Sequence, residues 1–600
     1  MEYQEIKKME MERAESFINE IHGSKDPYFK YKQSRPITDL KHMFETSVEL
    51  YGDHTAFMQK FKKGEEYTRI SYAEALEDIN GLGTSLIKQG LKGKRIALIG
   101  ENCYQWASSY LAVTCGTGII VPLDRELGKE ELTHLIKESE SSAVLFTKKY
   151  ESIFREMKES GETGLEVLVN LNAEEESGGV LSWKQLISEG KNMVASGDRS
   201  FLDAEIIADD MGVLLFTSGT TGLAKAVMLS HTNICTDLMS APLLLETLDT
   251  DTFFSVLPLH HTYECTCGFL MPMYKGSCVA YCEGLKYIQK NLKEVNPTFF
   301  LAVPLIFESL YKTIMKNIKK KGLEDKVAKI MKWSRVTSKF GINLNRILLK
   351  DIIAIFGENL DVMIAGGAAI DPEILTFFNE LGFVAVQGYG LTECAPMAAL
   401  SPDIHKLMRP DSVGHLLPGM EVKIIDKAED GTGEICLKGN NVMLGYYNRP
   451  DETADALQDG WFHTGDLGYV DDEDFIYITG RKKNVIITAN GKNVFPEELE
   501  YYLGRVPYVN ESMVWAAAAE DGQDTSIVAT IRPDSEEIKK VLGDASKDPE
   551  AIEKLLWEEI DKINADLPMY KRIKRVSVRF EEFEKTTGHK IKRFVESNRQ

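Results

Sequence analysis

Apolar and polar positions along the chain fall into two textures. Between residues 70 and 400, short and nearly continuous apolar runs alternate with amphipathic stretches of helix length. The runs are RIALIG at 95–100, GIIVPL at 118–123, SAVLFT at 142–147, EVLVNL at 166–171, VLLFTS at 213–218, FFSVLPL at 253–259 and TFFLAVP at 298–304. Strands separated by segments long enough for a helix predict parallel βαβ layers, an α/β body. From Ser412 to Ile478 the pattern changes to short strands and turns. EVKIID, GTGEICLKG and DFIYIT predict a small antiparallel, barrel-like subdomain over about 412–480. A boundary falls near Arg481-Lys482-Lys483-Asn484. Beyond it, Pro496-Glu497-Glu498-Leu499 opens a helix, with Pro at the first position and carboxylates in the first turn. Strands near 512–518, 525–532 and 573–580, with helices near 535–542 and 549–565, predict a compact α+β unit. The expected organisation is a body over 1–482 and a small C-terminal domain over 483–600.

Six hundred residues exceed one hydrophobic core, which agrees with several domains. The net charge of −22 excludes bulk nucleic-acid binding, which needs a basic face to displace phosphate counterions. One segment runs against that charge. Lys312 to Lys350 carries twelve Lys and Arg against Glu324 and Asp325. It reads either as a solvated helical face or as a patch for an anionic membrane surface, where each basic residue contributes about 1 kcal/mol. The N-terminus lacks the apolar core of a signal peptide, and Trp106 to Leu123, broken by glycines and Pro122, reads as a buried core segment. Nine cysteines, an odd number without a secretion signal, predict reduced thiols and a cytoplasmic protein, with peripheral membrane contact as the addition the basic segment allows. Cys265, Cys267, Cys278 and Cys282 lie close in sequence but lack the paired CxxC spacing of structural zinc sites. GSCVAYC reads as a strand with Cys278, Ala280 and Cys282 on one face and Val279 and Tyr281 on the other.

Candidate chemistry starts at LLFTSGTTGLAKAV, 214–227. A buried strand delivers the chain into Thr217, Ser218, Gly219, Thr220, Thr221 and Gly222, and Lys225 follows. Hydroxyls, glycine-permitted backbone turns and a nearby cation make an anion-binding nest, and phosphate is the obvious guest. The common NTPase pattern GxxxxGK[ST] is absent, because Lys225 stands between Ala224 and Ala226. On the loop alone, a surface linker is the competing reading.

Four further segments change that balance: QGYGLTE at 387–393, GWFHTGDLG at 460–468, GRKKNVI at 480–486 and KTTGHKIKR at 585–593. Together with the loop at 217–225 they resemble, in order and spacing, the motifs of the adenylate-forming superfamily of acyl-CoA synthetases, peptide-synthetase adenylation domains and luciferases. The resemblance implies a large N-terminal body and a mobile C-terminal domain. It implies ATP bound by the Thr217–Lys225 loop, by Gly367 and Ala368, and by Gln387, Gly388, Tyr389 and Gly390. Thr392 would reach phosphate, Glu393 would hold Mg²⁺, and Asp466 and Arg481 would contact the ribose. A carboxylate can accept two hydrogen bonds from a cis-diol, although Asp beside Gly is also a common turn pair. His261 is the candidate for the carboxylate site, with a core histidine as the alternative. Lys590 is the implied catalytic lysine between substrate carboxylate and α-phosphate, and Lys483 the hinge. Rotation about Lys483 would withdraw Lys590 and bring the loop containing Gly491 to a thiol tunnel.

Two departures stand out. The family's Pro-Lys-Gly is Ala224-Lys225-Ala226 here, and His589 precedes Lys590 where the family has Gly. The spacing from Lys585 favours Lys590 as the catalytic residue, and a shifted register would put His589 in its place. NPTFFLAVPLIFESLYKTI with its basic helical sequel, and NNVMLGYYNRPDETADAL, resemble the long-chain fatty acid–CoA ligases most. The implied reaction is ATP-dependent ligation of a medium- to long-chain fatty acid to coenzyme A. Acyl transfer to acyl carrier protein, or adenylation of a non-fatty acid, remains open at this point. A catalytically idle nucleotide binder is disfavoured by the intact set Thr217, Lys225, Glu393, Asp466, Arg481 and Lys590.

Overall fold

The computed structural model describes residues 2–23, 34–62, 64–217, 224–337, 348–404, 407–488, 492–518, 525–585 and 591–599. Two large sheets form the body. One has eight strands, in the order Gly445–Tyr446, Lys225–Ser230, Met211–Thr217, Ile119–Pro122, Arg95–Ile99, Ala143–Phe146, Val167–Asn170, Leu181–Ser182. The other has nine, in the order His415–Leu416, Met397–Leu400, Val384–Gly390, Val362–Ala365, Phe299–Ala302, Thr252–Ser255, Cys278–Tyr281, Thr55–Gln59, Thr68–Ser71. All seven predicted strands lie in these sheets, and their neighbours within the sheets are mainly parallel.

Alternation along each strand assigns side chains to layers. Ile96 and Leu98 join Phe253, Phe299 and Val362 in one core between the sheets. Ala97 and Ile99 face the opposite side of the first sheet, and Phe254, Phe300 and Met363 the opposite side of the second. Phe253 and Phe299 stack at 4.4 Å between centroids, which fixes the register of adjacent strands by shape as well as by burial. Val279 and Tyr281 pack into the central core, whereas Cys278 and Ala280 face Met58, as the strand reading required. Cys265, Cys267 and Cys278 are buried, and burial pushes the thiols of Cys265 and Cys278 up to about 12. They act as small apolar groups.

Lys225–Ser230 is a strand paired antiparallel with Met211–Thr217, and the two strands are the arms of a hairpin. The subdomain expected over 412–480 is a five-stranded antiparallel sheet that starts at Glu421, because His415–Leu416 pairs with Met397–Leu400 in the nine-stranded sheet. Among the described residues its strand order does not close on itself. The ten-residue strand Trp461–Val470 is paired with Gly433–Lys438, Leu457–Gln458 and Ile476–Arg481.

Lys482 and Lys483 lie in the turn after Ile476–Arg481, where the boundary was expected. The C-terminal domain has its own core of sixteen buried residues around Val514, Ile527, Ile531 and Leu556. It touches the body through Tyr501, whose hydroxyl donates to Asp371 at 3.1 Å, and through Arg505, which lies 3.1 Å from Asp371 and 3.2 Å from Glu373. Among the described residues no helix is long and apolar enough to cross a membrane. Trp106–Leu123 is covered by a helix to Ala112, a π-helical turn and the strand Ile119–Pro122, mostly buried.

Candidate active site

Thr217 ends one arm of the hairpin and Lys225 begins the other, directly opposite in register. The Thr217 hydroxyl donates to the Lys225 carbonyl at 3.3 Å. Ser218, Gly219, Thr220, Thr221 and Gly222 lie outside the described residues. Ala226 is fully buried within the second strand, and its carbonyl accepts from Tyr447 N at 2.8 Å. The position asks for a strand residue, so Ala in place of Gly costs no strain here.

Lys225 Nζ lies 2.5 Å from Glu452 Oε2 and 4.6 Å from the centroid of the Tyr446 ring. The bond to Lys225 holds the Glu452 carboxyl below its ordinary range. The Tyr446 hydroxyl donates to Glu393 Oε1 at 2.9 Å, and burial raises its phenol well above the usual value. The lysine of the hairpin is thus joined through one tyrosine to the carboxylate of the QGYGLTE segment. Glu393 itself sits in the short turn Thr392–Cys394, partly exposed, and its carbonyl accepts from Met443 N at 2.8 Å. Beneath it, Asn441 donates to Asp237 at 2.9 Å and to the Met397 carbonyl at 2.7 Å, which ties the neighbouring strand down.

A second group forms from Val384–Gly390 and the small sheet. The Tyr389 hydroxyl donates to Asp466 Oδ2 at 2.7 Å, and Arg481 Nε lies 2.8 Å from Asp466 Oδ1. Asp466 is 3 % exposed while the Arg481 side chain is half exposed, so a buried carboxylate is presented to a wet surface by a cation at its rim. Asp466 and Arg481 face each other across paired strands, and Thr464 Oγ1 accepts from Asp466 N at 3.0 Å. Each carboxylate oxygen can accept more than one hydrogen bond, which is what recognition of a diol requires. Burial, then the adjacent Asp466 charge, lifts the Tyr389 phenol far above its ordinary value and keeps it a donor.

Val362–Ala365 runs into Gly366, Gly367 and Ala368. A Cβ at Gly366 would stand 2.8 Å from the Tyr263 ring, whose hydroxyl donates to the Ile364 carbonyl at 2.9 Å. Gly367 has φ +82°, open to glycine at little strain. Gln387 does not reach outward; its amide donates to the Pro410 carbonyl at 2.7 Å. Gly388 and Gly390 pair with the strand Met397–Leu400, and a side chain at Gly390 would strike the Pro396 carbonyl.

His260 and His261 lie in the turn after Thr252–Ser255, with ring centroids 4.2 Å apart. His260 is buried and its Nε2 lies 3.4 Å from Asp124 Oδ1. Lys483 is exposed in its turn, and Gly491 and Lys590 lie outside the described residues. The base of the lysine loop is described. Lys585 and Ile591 form an antiparallel bridge, Lys585 bonds to Glu511, and Arg593 bonds to the partly buried Glu500.

Four residues escaped the sequence reading. Tyr446 and Glu452 lie in the quoted GYYNRPDE segment, but a tyrosine in an apolar run and a glutamate opening a helix are ordinary there. Asp124 follows a strand without any motif. Glu264 carried a signal, an acid inside the apolar TYECTCGFLM run. It is fully buried in the π-helical turn Tyr263–Leu270, Oε1 accepts from Ser255 at 2.5 Å, Oε2 has no partner, and burial pushes its carboxyl up to about 8.

The profile of the family described as "AMP-binding enzyme" matches residues 44–447. The long-chain-fatty-acid–CoA ligase ACSBG2 of Rattus norvegicus is 26% identical over 510 residues, 80% of this chain and 75% of its own. The long-chain-fatty-acid–[acyl-carrier-protein] ligase AEE15 of Arabidopsis thaliana, chloroplastic, is 26% identical, covering 93% of this chain and 84% of its own. Among solved structures, the anthranilate CoA ligase AuaEII in complex with anthranoyl-AMP superposes with a TM-score of 0.71 at 18% identity, over 93% of this chain and 96% of that one.

Proposed function

Because the chain belongs to the AMP-binding enzyme family, the adenylate-forming enzymes, we propose that it activates a medium- to long-chain fatty acid with ATP. The acyl group then passes to coenzyme A, with release of AMP and pyrophosphate. The observation that carries this reading is the pair of linked groups, Lys225–Tyr446–Glu393 and Tyr389–Asp466–Arg481. The first offers a cation and an oxygen ligand for a triphosphate, the second a buried carboxylate for a ribose.

A carboxylate is a poor electrophile, and joining it to AMP as a mixed anhydride, with pyrophosphate leaving, supplies a leaving group that a thiol displaces. Thr217 and Lys225, with Ser218 to Gly222, hold the triphosphate. Gly367, Ala368 and the backbone from Gln387 to Gly390 line the base, and Asp466 and Arg481 hold the ribose. Glu393 suits Mg²⁺: it is a hard oxygen donor, partly exposed, with one oxygen oriented by Tyr446. When bound, the ion screens the charge of the triphosphate. His261 flanks the acid. Lys590 brings positive charge to two approaching anions, and removing such a contact costs about 10²–10³ in rate. Lys483 is the hinge, and its rotation exchanges Lys590 for the loop around Gly491.

The relatives' names support a fatty acid as the substrate class, and AEE15 keeps acyl carrier protein as the second acceptor. The reading also includes a cytoplasmic enzyme touching membranes through its basic helices. Lys590→Ala should abolish acid-dependent pyrophosphate exchange into ATP yet still convert supplied acyl-AMP to thioester; equal loss of both reactions defeats the assignment. Comparing CoA with carrier protein as acceptor, over acids of graded length, decides the remainder.

A further inference from the structure

Among the described residues, one group of His, Cys, Asp and Glu side chains converges closely enough to hold a metal ion. Its members are Asp124, His260 and His261, whose donor atoms all lie within 4.8 Å of one another. Asp124 follows the strand Ile119–Pro122 of the eight-stranded sheet, and the histidines follow Thr252–Ser255 of the nine-stranded sheet. The group therefore bridges the two sheets at the ends of their strands. The register Ile120↔Val213 brings Asp124 to the same sheet edge as Thr217.

The scaffold beneath the group is fixed. Asn102 donates to Ser255 Oγ at 3.0 Å and to the Leu257 carbonyl at 2.6 Å, and it accepts from Leu259 N at 3.1 Å. His261 N donates to the Pro258 carbonyl at 3.1 Å. These bonds lock the turn that carries both rings, as supporting bonds do around metal ligands.

The spacing is that of ligands rather than of a hydrogen bond. His260 Nε2 stands 3.4 Å from Asp124 Oδ1, beyond the usual N–H···O range of about 2.7–3.2 Å. Two donors on a tetrahedral cation with bonds of about 2.0–2.1 Å stand roughly 3.3 Å apart. The same Nε2 is buried and makes no hydrogen bond, an arrangement that is unfavourable unless something binds it. Two imidazoles and one carboxylate suit a borderline cation rather than Mg²⁺.

We propose that Asp124, His260 and His261 form a binding site for a divalent cation of the Zn²⁺ class, distinct from the Mg²⁺ held at Glu393. Three protein ligands leave a fourth position open to water or to an anionic ligand. The inference does not depend on the acid or the acceptor.

The test uses the full-length protein in metal-free buffer, titrated with Co²⁺ as a spectroscopic stand-in and then displaced by Zn²⁺. The expected result is one tightly bound equivalent with the visible bands of nitrogen and oxygen ligation and no thiolate-to-cobalt charge-transfer band, which separates this site from the nine thiols. His260→Gln and Asp124→Asn should each weaken binding by about a hundredfold, while Cys265→Ser leaves it unchanged. Circular dichroism at each titration point confirms the fold, and Asp124→Asn, nearly isosteric, serves if His260→Gln does not fold. No stoichiometric Co²⁺ uptake, a thiolate band, or unaltered binding by a folded variant overturns the proposal.

Discussion

Tyr446 has one hydroxyl, and that hydroxyl orients the carboxylate proposed to hold Mg²⁺. A hydrogen bond to a charged group contributes about 1.5–3 kcal/mol. Tyr446→Phe should therefore slow acid-dependent pyrophosphate exchange by at least about tenfold and raise the Mg²⁺ concentration it needs. An unaltered Mg²⁺ dependence would refute this role. Such a residue is illegible in sequence, because its function resides in a contact across 53 positions to Glu393. Asp466 and Arg481 were legible only through the resemblance, since Thr-Gly-Asp alone is a turn. Ala226 looked like a departure and is a buried strand position where the alanine methyl fills core space.

At the level of elements, continuous apolar runs identified every buried parallel strand named in advance, because burial on both faces leaves no room for polar residues. What the runs could not reveal was partner and direction. Lys225–Ser230 was missed because KAVMLS is short and its pairing is set by the hairpin rather than by its own pattern. The π-helical turn Tyr263–Leu270 was equally invisible, and it carries the neutral Glu264. Its carboxyl titrates near 8 when folded, against about 4.5 when exposed. Between those values the unfolded chain binds fewer protons than the folded one, so stability falls as pH rises from about 4.5 to about 8 and then levels. Asp237, also buried and raised, adds to the same trend. Glu264→Gln keeps an acceptor for Ser255 and should flatten part of this decline, becoming the more stable form at pH 8 in urea denaturation. A variant with the same pH slope as the parent would remove Glu264 from the account.

For the molecule as a whole, charge is unevenly spread. The helix Pro304–Lys320 buries Phe307, Leu310, Ile314 and Ile318, and turns Lys312, Met315, Lys316 and Lys319 outward; Trp333 on the next helix is 50 % exposed. On a chain of net charge −22, the exposed lysines of this helix are the part proposed to meet an anionic bilayer. Replacing Lys312, Lys316 and Lys319 by Ala should lower co-sedimentation with phosphatidylglycerol vesicles by about 3 kcal/mol, on the order of a hundredfold. Equal partition of the parent onto phosphatidylcholine and phosphatidylglycerol vesicles would sink the idea. The nine-stranded sheet has one more consequence. Its strand Thr55–Gln59 lies beside Cys278–Tyr281. At about 5–20 residues per second, a ribosome reaches Cys278 on the order of ten to forty seconds after Gln59. For that interval Thr55–Gln59 can pair along one edge only, with Thr68–Ser71, and its other edge stays open until Cys278–Tyr281 has been made.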